Sequence, residues 1–186
     1  MRLICIGDSL TFGYGVHLSQ RWTQLCAQET GWELVNEGIN GDTTGGMLAR
    51  MQGGGLAELR EGGLGTDRPY VLLMGGSNDV FYSRSDAAAR GNMGAMIHQL
   101  FSVGVLPMVG IPLPADAPHA PRAWAAAVDF EAAERTMKEY CAWLKRYCTA
   151  FGVRTAPSPD GVWRAVYRLL RGLLVARRID PLGAAA

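Results

Sequence analysis

Short apolar runs alternate with segments of helical periodicity along this chain, and that alternation limits its fold more than any other feature. Arg2–Ile6 reads as a buried strand. Arg21–Glu29 follows as an amphipathic helix, with Gly31 just beyond its end. Glu33–Asn36 is a second strand, and Thr44–Arg50 opens a helix that runs into a glycine-rich loop, Gly53-Gly54-Gly55. Tyr70–Met74 is a third strand, Asp86–Val103 a helix despite Gly91 and Gly94, and Leu106–Gly110 a fourth strand. Ile111–Arg122 holds four prolines and reads as a loop. Phe130–Phe151 is the longest helical pattern, stopped by Gly152. Val153–Thr155 can add a fifth strand. The order β-α-β-α-β-α-β-α-β predicts an α/β fold with a five-stranded parallel sheet and helices on both faces.

The 186 residues suit one domain and one core. Apolar residues make up 48% and charged residues 19%, as in an ordinary soluble protein. A net charge of +1 gives no reason to expect nucleic acid or anionic membrane as a partner. No apolar run reaches membrane-spanning length. The first strand begins too early to leave room for a charged leader, so a cytoplasmic location is expected. Cys5, Cys26, Cys141 and Cys148 show no metal spacing and no CxxC, and are read as buried small hydrophobes. No metal or other cofactor is expected.

The charge is unevenly distributed. Val153 to Ala186 holds six arginines and two aspartates, a net of +4, against −3 for the rest. Within this segment Val162, Val166, Leu169, Leu170, Leu173 and Leu174 recur at helical spacing, with arginines between them. Residues 156–186 are therefore read as an atypical, helical tail on a single domain covering 1–186.

Three residues could carry chemistry, and each follows a successive strand. Ser9, in Gly7-Asp8-Ser9-Leu10, sits at a strand-to-loop transition. A serine hydroxyl is a poor nucleophile unless a base takes its proton; a turn serine after an aspartate can equally be structural. Gly41 lies in Ile39-Asn40-Gly41-Asp42-Thr43-Thr44, where a backbone N–H can meet a ligand without side-chain obstruction. The alternative is a tight turn with Asp42 or Thr43 capping the helix. Asn78, in Gly76-Ser77-Asn78-Asp79, offers a side-chain N–H to an oxyanion, or forms an Asx turn. Together they are more specific, because parallel strands deliver all three to one edge of the sheet, where open α/β folds bind ligands. The first loop has no phosphate-cradling glycine pattern or P-loop lysine, which argues against a phosphate- or flavin-binding protein.

Gly-Asp-Ser-Leu at 7–10, the glycine of Ile39-Asn40-Gly41-Asp42, and Gly-x-Asn-Asp at 76–79 resemble the first three blocks of the SGNH (GDSL-type) hydrolases. Thr11-Phe12-Gly13-Tyr14-Gly15 and Gly41-Asp42-Thr43-Thr44 resemble the branch with bacterial thioesterase/lysophospholipase and arylesterase enzymes. The resemblance covers roughly residues 1–154. It implies a flavodoxin-like three-layer sandwich and hydrolysis of a small acyl ester or thioester through an acyl-enzyme. It assigns Ser9 as nucleophile, with the Ser9 N–H, the Gly41 N–H and the Asn78 side chain as the oxyanion hole. Asp8 would support the loop.

The family's fourth block, Asp-x-x-His before the last helix, has no counterpart. Asp160-Gly161-Val162-Trp163 has the spacing but a tryptophan, which donates a hydrogen bond and cannot accept a proton. Ile179-Asp180-Pro181, at the expected distance from the fifth strand, has no histidine either. Three explanations compete: a tail altered by a shifted reading frame, a family member that has lost hydrolysis, or a substitute base. The chain's histidines are His17, His98 and His119. His119 is the best substitute, since its proline-rich loop leaves the fourth strand at the same sheet edge. His17 is expected on the surface before the first helix, and His98 on a helix in a structural role. The alternative to a hydrolase is a silent binding protein that keeps the oxyanion pocket without a base. Acyl length, leaving group and oligomeric state are not legible.

Overall fold

The computed structural model describes residues 2–55, 70–113, 115, 117–120 and 127–156. The tail from 157 onward, with Asp160, Trp163 and Asp180, lies outside the described residues.

Five parallel strands form one sheet: β1 (Arg2–Gly7), β2 (Glu33–Gly38), β3 (Tyr70–Met74), β4 (Leu106–Gly110) and β5 (Arg154–Ala156). Their spatial order is β2-β1-β3-β4-β5. The strands bearing the three candidate loops are thus immediate neighbours. β1 pairs with β2 from Arg2↔Glu33 to Gly7↔Gly38, and with β3 from Leu3↔Tyr70 to Gly7↔Met74. Several boundaries differ from the sequence reading by a residue or two, and β1 extends to Gly7. β2 runs two residues further, because Glu37 and Gly38 continue the ladder opposite Ile6 and Gly7. β5 sits one residue later, in register with Met108, Val109 and Gly110.

The longer helices are α2 (Trp22–Thr30), α3 (Thr44–Arg50), α5 (Ala87–Ser102) and α6 (Phe130–Ala150). Two further ones, α1 (Ser9–Phe12) and α4 (Ser77–Ser83), occupy segments whose composition reads as loop. Side-chain alternation along the strands divides the core in two. Val71, Leu73 and Val109 pack with Met93, Ile97 and Leu100 of α5 and Met137, Tyr140 and Leu144 of α6 on one face. Leu3, Cys5, Leu72, Met74 and Met108 pack with Trp22 and Cys26 of α2 on the other. Strands buried on both faces are the expected form of a parallel sheet. At Gly94 a Cβ would come 3.0 Å from the Tyr147 hydroxyl, so this glycine lets α6 lie close to α5.

All four cysteines are buried and free. Burial pushes the Cys141 and Cys148 thiols up to about 11, which keeps them protonated and inert. No described helix is long and apolar enough to cross a membrane.

Candidate active site

Ser9 opens α1, two residues past the end of β1. The turn forms because Asp8 caps it: its Oδ1 accepts from the Leu10 N–H at 2.8 Å. Gly13, with φ of 78°, ends the helix after one turn, and its N–H donates to Ser9 O. Neighbouring elements then pin this turn. The Trp22 indole donates to Leu10 O at 3.0 Å, and Asn36 of β2 donates to Thr11 O at 2.9 Å. Gly38 allows the contact: a Cβ there would overlap the Phe12 backbone.

Gly41 lies three residues past β2, at φ of 77°. That left-handed conformation favours glycine and turns the chain toward α3. Thr43 caps α3 by accepting from Gly46 N.

Asn78 lies in the first turn of α4, four residues past β3. Its Nδ2 donates to Asp42 O at 2.7 Å, which joins the third loop directly to the second. Asp79 makes the same junction from below. Its carboxylate accepts from Thr44 N at 2.9 Å and from Thr44 Oγ1 at 2.7 Å, and Asn92 of α5 donates to Thr44 Oγ1 at 3.1 Å. Behind α4, the Tyr140 hydroxyl donates to Gly75 O at 3.0 Å. Burial pushes that phenol well above its ordinary value, so it stays protonated and keeps donating.

The structure therefore brings the Ser9, Gly41 and Asn78 loops to the carboxyl ends of three adjacent strands and ties them together with hydrogen bonds. The ties come from Asn36, Asp42, Thr44 and Asp79, and from Arg50, whose Nη2 pairs with Asp42 Oδ2 at 2.7 Å. Asp42, Thr44 and Asp79 stand in the sequence motifs without a tying role, and Asn36 and Arg50 are not singled out there. Asp42 and Arg50 are eight apart, outside the i,i+4 spacing that marks a helical ion pair, so no local pattern reveals them.

The histidines separate. His17 is exposed on the connection leaving β1. His98 is exposed on α5, shares a 2.9 Å hydrogen bond with the Tyr147 hydroxyl, and stacks edge-on against Phe151. His119 ends a 3₁₀ turn, Ala117–His119, on the connection from β4 to α6. That connection is held by Ala117 N donating to Glu134 and by the Cys141 thiol donating to Pro112 O. Among the described residues, no group of three or more His, Cys, Asp or Glu could hold a metal ion.

An open parallel sheet whose polar loops converge past the carboxyl ends of adjacent strands defines an α/β protein of the open-sheet class, in which that edge is where ligands generally bind. The particular family follows from comparison with known proteins. The model for the GDSL-like lipase/acylhydrolase family matches residues 5–174, and the chain belongs to that family. Over 119 residues it is 27% identical to Esterase TesA of Pseudomonas aeruginosa, a match that covers 60% of this chain and 55% of that protein. The chain thus matches about half the length of that relative. Among solved structures it resembles a member of the lipolytic G-D-S-L family from Veillonella parvula (TM-score 0.70, 19% identity, 95% of this chain and 97% of that one). It also resembles the M. smegmatis aryl esterase (TM-score 0.66, 20% identity, 94% and 97%). Likeness at this identity concerns the fold.

Proposed function

We propose that this protein is a serine-dependent hydrolase of small acyl esters or thioesters. The observation that carries the reading is the meeting of the Ser9, Gly41 and Asn78 loops past β1, β2 and β3. Membership of a lipase/acylhydrolase family supports it. In this reading Ser9 Oγ attacks the acyl carbonyl carbon as its proton passes to a base. The carbonyl oxygen becomes an oxyanion that receives the Ser9 N–H, the Gly41 N–H and an Asn78 N–H. Asn78 has two amide N–H groups, and Asp42 O takes one, which leaves the other for this role. The alcohol or thiol departs with the proton. Water then attacks the acyl-enzyme and releases the acid.

His119 is the base in this scheme, supported by its place on a connection that leaves the carboxyl end of the sheet. His17, on another such connection, is the alternative histidine. The buried free cysteines suit a reducing compartment such as the cytoplasm.

A fluorophosphonate probe tests the nucleophile, and a short acyl ester tests turnover. The probe should attach to Ser9, and Ser9→Ala should lose both labelling and turnover with stability changed by no more than about 0.5 kcal/mol. His119→Ala should slow both, leaving the roughly 10³–10⁴-fold acceleration over water that an oxyanion hole and binding can supply without a base. Unchanged turnover in Ser9→Ala would remove the serine from the mechanism. A Ser9 that never reacts in a folded chain would instead favour the silent binding protein.

A further inference from the structure

Arg50 ends α3 with its guanidinium turned back across the edge of the sheet. Nη1 donates to Glu37 O at 3.1 Å, and Nη2 donates to Gly7 O at 3.3 Å. Nε and Nη2 both donate to Asp42 Oδ2, at 3.1 and 2.7 Å. One planar group thus touches the last residue of β1, the end of β2 and the residue after Gly41.

The strand ladder includes Gly7 and Glu37 but does not reach Asp42. β1 and β2 are joined through Gly7↔Gly38, and the pairing ends with Ile39 N donating to Gly7 O. Beyond that point Asp42 N donates to Ile39 O at 3.2 Å, and side chains complete the placing of the loop to α3. Asp42 is held from two directions. Arg50 grips Oδ2, while Oδ1 lies over the first turn of α3, where any side chain at Gly46 would overlap it. The Asp42 backbone carbonyl in turn receives the Asn78 amide. A shift of Asp42 therefore moves Gly41 and Asn78 together, and both move relative to the Ser9 turn that follows Gly7.

We propose that Arg50 is a positioning residue that sets the separation between the Ser9 turn and the Gly41–Asn78 pair. Its consequence for catalysis rests on the reading of those three residues given above. A lysine would keep the charge opposite Asp42. As a compact point charge it cannot reproduce the flat fork that reaches three acceptors at once. Charge pairing and positioning are thereby separable by experiment.

Arg50→Lys and Arg50→Met should be compared with the parent chain by amide hydrogen exchange, thermal unfolding, fluorophosphonate labelling and ester turnover. Exchange at residues 8–10 and 39–42 should quicken at least about tenfold in both variants, with α6 unchanged. Labelling and kcat should fall about 10–100-fold with KM nearly constant, since small misplacements of reacting groups cost rates of this order. Arg50→Lys should recover the unfolding midpoint and leave exchange and labelling impaired. If Arg50→Met does not fold, Arg50→Lys alone carries the comparison. Unchanged exchange in the two loops, or full recovery of exchange and labelling by lysine, would overturn the proposal. Faster loop exchange in a chain whose Ser9 never reacts would uphold the clamp and refute the assigned chemistry.

Discussion

Asp8 stands one residue before the candidate nucleophile with only 1% of its surface exposed, and its Oδ2 has no hydrogen-bond partner. Burial raises its carboxyl to about 6, Asp42 and Asp79 add to the rise, and the Leu10 N–H opposes it. An unfolded aspartate titrates near ~3.9, so the folded chain holds this proton more tightly than the unfolded one. The resulting stabilisation is complete below about pH 4 and is lost as pH rises through about 6. The difference between the folded value of about 6 and the unfolded one corresponds to about 3 kcal/mol at most. Asp8→Asn keeps the oxygen that caps α1 and removes the titration. Urea midpoints at pH 4.5 and 7 should drop on going up in pH for the parent and drop clearly less for Asp8→Asn. Equal drops would show that another group carries the pH dependence. The residue also illustrates what sequence conceals. Gly-Asp-Ser-Leu announces a turn, but the charges that add to the rise of its acid, Asp42 and Asp79, lie far away in the chain.

At the scale of elements, β1, β3 and β4 were legible because short apolar runs that end at a glycine leave little choice. α5 and α6 were legible from length and periodicity. α4 was not. Gly-Ser-Asn-Asp-Val-Phe-Tyr-Ser has weak helical propensity, and its helix is secured by distant contacts: Asn78 to Asp42, Asp79 to Thr44, and Tyr140 behind Gly75. The hinge of this element is Gly76, at φ of 116°. A Cβ there would lie 2.5 Å from the Tyr140 ring, which is fully buried and fixed by its hydroxyl. Gly76→Ala combines backbone strain with overpacking and should cost about 3 kcal/mol. Gly91→Ala is the control: an exposed helical glycine with open space around it, where alanine should stabilise by roughly 0.5–1 kcal/mol. Denaturant midpoints with unchanged m-values would check both. A neutral Gly76→Ala would mean that the β3–α4 junction is softer than its packing suggests.

Across the whole molecule, polar and aromatic groups gather at opposite ends of the sheet. The carboxyl edge holds the Ser9, Gly41 and Asn78 loops. Near the amino edge, where α5 and α6 end, His98 packs against Phe101, Tyr147 and Phe151. A six-residue strand such as β1 spans about 17 Å at ~3.3 Å per residue, well beyond the ~7–10 Å over which substitutions usually couple. His98 should therefore contribute to stability and not to chemistry at the other edge. His98→Ala removes a hydrogen bond to Tyr147 and an edge-on contact with Phe151, together about 1–2 kcal/mol. Its unfolding midpoint should fall accordingly, while the rate of fluorophosphonate labelling at Ser9 stays that of the parent. In the double variant with Ser9→Ala, the two stability changes should add within about 0.5 kcal/mol. A large loss of labelling in His98→Ala, with the protein still folded, would mean that the two edges communicate and that His98 was wrongly placed outside the site.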